Sequence, residues 1–200
     1  FRECFIRISP YLHFFYRYSE TIISYVKTKH GMLKAALIGA TGAVGQEFAV
    51  ALNRHPWFEL AQIASSQRSA GKKYIDALRD KDSGVLKWHN KEQVPDYIRD
   101  MIVSRVEDVD SGEFDLIFTA LESDDARTIE PTFARSVPVI STAAAFRYEK
   151  DVPILIPGIN DNHVELLNIQ RKTRGWKGFI APLPNCTTTG LTITLKPIMM

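Results

Sequence analysis

Lys34-Ala35-Ala36-Leu37-Ile38-Gly39-Ala40-Thr41-Gly42-Ala43-Val44-Gly45 is the stretch that decides the fold. Its first five residues are a short, mostly apolar run that ends at Gly39, the pattern of a strand buried on both faces. Beyond the glycines, Val44, Phe48, Ala51 and Leu52 recur at helical spacing over residues 43–54, and Pro56 stops the run. The linking segment has the spacing G-x-x-G-x-x-G, a relative of G-x-G-x-x-G. Glycine at such a junction permits the tight turn, lets the backbone approach a pyrophosphate and lets the helix pack closely on the strand. The following helix N-terminus offers unpaired N–H groups and a partial positive charge to phosphates. Gly39, Thr41, Gly42, Ala43, Val44 and Gly45 are therefore candidate cofactor-binding residues. The competing explanation is a strand–helix turn with no ligand.

Outward from this unit, strand and helix patterns alternate. Strands are expected over residues 58–64, 102–106, 114–120, 137–140, 153–156 and 178–181. Helices are expected over 123–134, with Ser123 or Asp124 as cap, and from Asn160 or Asp161 to about Lys172, with Gly175 beyond. Residues 65–100 are polar and basic with weak periodicity. This alternation implies an α/β fold, a Rossmann-like, doubly wound, mostly parallel sheet covered on both faces.

Composition sets wide bounds. The 200 residues carry 45% hydrophobic and 24% charged side chains, an ordinary globular balance able to build a sizeable core. A net charge of +2 gives no case for nucleic acid or an anionic membrane. No run approaches the roughly eighteen apolar residues of a membrane span. Two distant cysteines, Cys4 and Cys186, are no disulfide framework and fit a reducing, cytoplasmic setting. Residues 1–31 are rich in Phe and Tyr without clear periodicity and precede Met32. They are expected to be a leader of doubtful structure, either a targeting peptide or sequence upstream of a start at Met32. At the other end, Lys196-Pro197-Ile198-Met199-Met200 carries no helix stop signal.

Two further segments carry chemistry. After the second strand the chain reads Ser65-Ser66-Gln67-Arg68-Ser69-Ala70-Gly71-Lys72. NAD sites usually place Asp or Glu there to hold the ribose 2′-hydroxyl. Hydroxyls and a guanidinium suit a 2′-phosphate instead, so NADP is favoured, with Ser65, Ser66, Arg68 and Lys72 as its candidates. A solvated basic loop is the alternative. Later, Pro184-Asn185-Cys186-Thr187-Thr188-Thr189-Gly190 follows a short strand. By propensity residues 187–194 look extended, because Thr and Ile are β-branched. If they are helical, Cys186 stands near a helix N-terminus, where the dipole favours the thiolate. Taken alone, Cys186 is equally a small buried hydrophobe or a nucleophile.

Taken together, the glycine loop, Ser65-Ser66-Gln67-Arg68-Ser69-Ala70-Gly71-Lys72, Asp151-Val152-Pro153-Ile154-Leu155-Ile156-Pro157 and Pro184-Asn185-Cys186-Thr187-Thr188 resemble the archaeal and fungal branch of aspartate-semialdehyde dehydrogenase. The resemblance runs from Met32 to Met200. It implies an NADP-binding Rossmann-like domain over 32–182 and, from 183 to 200, the start of an α+β domain for catalysis and dimerisation. It also implies a homodimer or homotetramer at full length. Cys186 matches the family's nucleophile and Asn185 the residue before it. The chemistry implied is reductive dephosphorylation of aspartyl 4-phosphate through a thioester, with NADPH as reductant. Ser141-Thr142-Ala143 stands where the family usually has Ser-Asn-Ala. The following Phe146-Arg147 matches an aromatic–Arg pair, so Arg147 is a weaker candidate for substrate phosphate. Alternatively it is a surface arginine paired with Glu149 or Asp151. The family's acid–base histidine lies well beyond the cysteine, and none of His13, His30, His55, His89 and His163 is assigned that role. No metal site is expected. The 200 residues alone are accordingly expected to be inactive. Malonyl-CoA reductases share this architecture and remain an alternative, as does a catalytically incomplete NADP-binding fragment.

Overall fold

A computed structural model describes residues 31–199. The leader expected over 1–31, Gly31 apart, lies outside the described residues. Six strands form one sheet: β1 (Leu33–Ile38), β2 (Phe58–Ser65), β3 (Val103–Arg105), β4 (Leu116–Thr119), β5 (Pro138–Ser141) and β6 (Phe179–Pro182). Their order is β3-β2-β1-β4-β5-β6, and each pairing is parallel. The order reverses between β1 and β4. In such open sheets the crevice outside the carboxyl ends of the strands at this switch point is where ligands bind. The helices are α1 (Ala43–Ala51), α2 (Tyr74–Ala77), α3 (Asp96–Arg99), α4 (Ser123–Ala134), α5 (Leu166–Arg174) and α6 (Cys186–Leu195).

The pattern of β1 explains the layering. Ala35, Ala36, Leu37 and Ile38 are all fully buried. Successive side chains of a strand point to opposite faces. Ala36 and Ile38 accordingly join one core with Ile117, Ala126, Phe133 and Val139, while Ala35 and Leu37 join another with Leu60, Ile63, Tyr74 and Phe118. Helices therefore cover both faces, and the Rossmann-like expectation is borne out.

Four local expectations change. Residues 153–156 form no strand. Pro153 and Pro157 remove ladder donors, and the Asn160 side chain takes the backbone polar groups, accepting from Ile156 N at 2.8 Å and donating to Ile154 O at 2.8 Å. The helix expected from Asn160 opens instead as a 3-10 turn, Asp161–Glu165, before α5, which Gly175 ends with φ +68°. Residues 187–194 are helical, not extended. Asn185 caps α6, and Thr192 and Thr194 hydroxyls donate to the carbonyls of Thr188 and Gly190, four residues back. The helix cap over 123–134 is Glu122 rather than Ser123 or Asp124.

Candidate functional site

The glycine loop turns where β1 ends. Gly39 has φ +82°, and a Cβ there would collide with the Ala120 carbonyl at the end of β4. A Cβ on Gly45 would stand 2.8 Å from Ala40 Cα and nearer still to the Gly39 carbonyl oxygen. Both glycines are needed for the first turn of α1 to lie against the loop. Gly42 differs: its φ is −72°, and the nearest atom to an added Cβ is Gly39 O, 3.6 Å away. The fold does not require glycine there, and the space it leaves belongs to the cleft beside it.

Polar side chains anchor this loop from behind. Buried Gln46 donates to Thr41 O at 3.1 Å and to Lys87 O at 2.9 Å, and accepts from His89 N at 2.7 Å. Buried Tyr74 donates to Ala40 O at 2.9 Å, and its burial raises the phenol pKa. The sequence reading missed both. A long-range hydrogen bond has no local signature, so only the polar residues amid apolar neighbours hinted at them.

A cleft of about 580 Å³ opens at the switch point. Gly39, Thr41 and Gly42 form its floor, and Ser65, Ser66 and Gln67 the end beyond β2. Residues 105–108 and the start of α4 close it. Thr41 and Ser65 hydroxyls are 2.7 Å apart. Ala43, Val44 and Gly45 are the first residues of α1, and no side chain caps that helix. An uncapped N-terminus on an open cleft, with glycine where a side chain would intrude, fits the pyrophosphate of a dinucleotide. Arg68 and Lys72 are exposed and do not line the cleft. Arg105, which the sequence reading did not single out, does. A slightly larger hollow, about 660 Å³, lies among Leu52, His55, Phe58 and Tyr97. It borders the start of β2, at the opposite edge from the glycine loop, and holds none of the candidate residues.

A second cluster occupies the ends of β4, β5 and β6. Fully buried Glu130 of α4 accepts from the Thr119 and Ser141 hydroxyls at 2.6 Å each through Oε1, while its Oε2 has no partner among the described residues. Burial raises its pKa, against the opposing effect of the two hydroxyls. Arg147 does not pair with Glu149 or Asp151, whose carboxylates take Arg174 instead, Asp151 at 2.6 Å to both Nε and Nη2. Arg147 Nε donates to Leu183 O at 2.9 Å and its Nη2 to Thr142 O at 3.0 Å. It thereby staples the loop after β5 to the segment that leads into Asn185 and Cys186. Those two bonds use two of five N–H donors, so the guanidinium keeps donors for an anion.

Cys186 is an exposed free thiol at the first position of α6. Asn185 Oδ1 accepts from Thr187 N at 2.9 Å and from Thr188 N at 3.4 Å, so the residue before the cysteine fixes the helix start. Neither His55, His89 nor His163, the described histidines, hydrogen-bonds the thiol; His13, His30 and Cys4 lie outside the described residues.

The family profile described as semialdehyde dehydrogenase, NAD binding domain, matches residues 34–167. An aspartate-semialdehyde dehydrogenase of Methanothermobacter thermautotrophicus is 44% identical, over 84% of this chain and 46% of its own length. A malonyl CoA reductase (NADP) of Metallosphaera sedula is 36% identical, over 83% of this chain and 44% of its own. The crystal structure of aspartate semialdehyde dehydrogenase with NADP from Candida albicans superposes with a TM-score of 0.71 at 36% identity, covering 84% of this chain and 47% of that one. The chain spans just under half the length of the curated relatives it matches. With that profile over most of its described residues, and with relatives this similar, the chain belongs to the semialdehyde dehydrogenase family.

Proposed function

We propose that this chain supplies the NADP-binding half and the nucleophile of an aspartate-semialdehyde dehydrogenase. Residues 32–182 are the dinucleotide-binding domain and residues 183–200 open the catalytic domain. The observation that carries this reading is the shared edge. The uncapped start of α1 with its cleft and the capped start of α6 with its cysteine both lie at the carboxyl ends of the same parallel strands. The N–H groups of Ala43, Val44 and Gly45 would hold the pyrophosphate, beside the cleft residues Gly39, Thr41 and Gly42. Ser65 and Ser66 would hold the ribose-phosphate end from within the cleft, and Arg68 and Lys72, exposed outside its lining, would reach that end from the solvent side. When bound, NADPH supplies the hydride that reduces an acyl group.

The Cys186 sulfur attacks the acyl carbon of aspartyl 4-phosphate. The C–S bond forms, the C–O bond to phosphate breaks, and inorganic phosphate leaves. Arg147 holds the departing phosphate with the donors its backbone bonds leave free. Reduction at the same carbon then breaks the C–S bond, releases aspartate 4-semialdehyde and returns the thiolate. Asn185 keeps the thiol at the head of α6 through both halves. The full-length enzyme acts in the cytoplasm as a homodimer or homotetramer, in the branch of metabolism that makes lysine, threonine and methionine.

The test is Cys186→Ala in the full-length protein. Turnover should disappear while NADP affinity stays within about twofold, because the glycine loop is a separate site. Normal turnover by that variant would end the mechanism. The malonyl-CoA reductase relative supports a second reading of the acyl donor. Assays with aspartyl phosphate and with malonyl-CoA separate the two, and turnover of malonyl-CoA alone would overturn the first.

A further inference from the structure

Every backbone carbonyl of the glycine loop from Gly39 to Gly42 already has a donor. Gly39 O accepts from Gly42 N at 3.2 Å and Gly42 O from Gln46 N at 3.0 Å, bonds that a tight turn and a helix start make by themselves. Ala40 O accepts from the Tyr74 hydroxyl at 2.9 Å and Thr41 O from Gln46 Nε2 at 3.1 Å. The N–H groups are sorted the other way. Those of Thr41, Ala43, Val44 and Gly45 meet no acceptor among the described residues. The polar groups that the loop leaves free are therefore donors, the set an anion needs.

Two of the four carbonyl bonds depend on side chains brought in from behind. Tyr74 opens α2, 34 residues beyond Ala40, and its wholly buried ring packs in the core with Leu37, Ile63 and Ile98. Gln46 is buried on α1. Its Oε1 accepts from His89 N at 2.7 Å, and its Nε2 donates to Lys87 O at 2.9 Å as well as to Thr41 O. The His89 N–H can only donate, so the amide cannot turn over without facing donor to donor and oxygen to two carbonyls. Thr41 lines the cleft, whereas neither Tyr74 nor Gln46 does. A trans peptide carries its C=O and its following N–H on opposite sides. Drawing Ala40 O toward the core thus turns the Thr41 N–H the other way. A carbonyl oxygen released from either bond could swing toward the cleft and set its negative end against a phosphate.

We propose that Tyr74 and Gln46 are positioning residues for the dinucleotide. By holding the Ala40 and Thr41 carbonyls against the interior, they leave N–H groups alone to face the pyrophosphate. This rests on the dinucleotide reading of the cleft and deepens it. Neither side chain touches the ligand, and neither distinguishes NADP from NAD.

Calorimetric titration of the full-length protein with NADP+ and with NAD+, well below each variant's thermal midpoint, tests it, together with phosphorus NMR of bound NADP+. Tyr74→Phe deletes one oxygen and keeps the ring in the core. It should weaken NADP+ and NAD+ by the same factor, about 3- to 10-fold, the worth of one neutral hydrogen bond. Gln46→Glu turns a carboxylate oxygen onto the two carbonyls and should weaken both dinucleotides at least as much. In the Tyr74→Phe complex the pyrophosphate resonances should move while the 2′-phosphate resonance stays, a pattern that general loosening of the domain would not give. Unchanged NADP+ affinity in Tyr74→Phe, or a 2′-phosphate resonance that moves as far as the pyrophosphate resonances, overturns the assignment while the cleft remains a dinucleotide site. Failure of the parent protein to bind either dinucleotide overturns the dinucleotide reading, and this inference with it.

Discussion

Replacing Glu130 by glutamine should change the stability of this protein by an amount that depends on pH, with a sign the structure fixes. The carboxyl is wholly buried between α4 and the ends of β4 and β5. Oε1 accepts two hydroxyl bonds of 2.6 Å, and Oε2 faces no donor among the described residues. Burial penalises the charged form more than the two hydroxyls support it, so the folded-state pKa is raised from the ordinary 4.5. A raised carboxyl pKa contributes stability that is fully present below the unfolded value and is lost as pH rises through the folded value. Between those limits the loss runs at about 1.4 kcal/mol per pH unit, because the unfolded chain ionises and the folded chain does not. Glutamine cannot ionise. Its Oε1 keeps both acceptor bonds, and its Nε2 lands where Oε2 now has no partner, an unsatisfied donor that costs about 1–3 kcal/mol. The protonated acid carries a comparable unsatisfied O–H, so the two proteins should be close near pH 4.5. Above it, the variant should gain on the parent at up to the slope just given. Urea unfolding of the full-length protein and of Glu130→Gln, at half-unit steps from pH 4.5 to 8, measures this difference. Other titrating groups cancel in it. A difference that stays flat across the range would refute the assignment of a raised pKa to this carboxyl.

The glycines separate fold from ligand. Gly45→Ala places a methyl against the Ala40 backbone at 2.8 Å and should cost about 1–3 kcal/mol of stability, read by denaturant unfolding. Gly42→Ala meets nothing closer than 3.6 Å and should shift stability by less than about 0.5 kcal/mol, while weakening dinucleotide binding measurably by titration. Asn185→Ala removes the two bonds that cap α6 and should cost about 1 kcal/mol in that helix. Slower alkylation of Cys186 in that variant than in the parent would show that the cap also presents the thiol, and an unchanged rate would show that it does not.

What the sequence made legible followed from local physics. The buried run of β1, the glycine spacing and the stop at Pro56 all act within a dozen residues, and they located the switch-point loop correctly. Gly175 announced the end of α5 for the same reason. The Thr-rich segment misled because propensity weighs each β-branched residue singly. It misses that one Asn side chain satisfies two orphan donors and that threonine hydroxyls can bond back to the carbonyl four residues earlier. The stretch 153–156 looked like a strand until a single amide, Asn160, took over its backbone polar groups. Arg105 was invisible for a different reason. Its position beside Ser65 is a matter of register between strands forty residues apart, and nothing local encodes register. Arg147 was legible as a residue and illegible in its bonds, since one carbonyl partner, Leu183, comes from a distant segment and the other, Thr142, is set by how the loop after β5 folds back.

The helix that bears Cys186 has a thermodynamic consequence of its own. None of the ten residues of α6 is buried, and Leu191 and Ile193 are more than half exposed. Ten residues fall below the length of about 12–15 at which isolated helices persist in water. What holds these turns is a cap and a few hydroxyl bonds, whereas β1 and β4 are enclosed on both sides. In a protein of these 200 residues alone, the thiol thus rides on an element whose opening is a separate, shallower equilibrium from the unfolding of the sheet. In those 200 residues its amide protons should trade with solvent through brief local fraying, at a free energy far below that of the global transition.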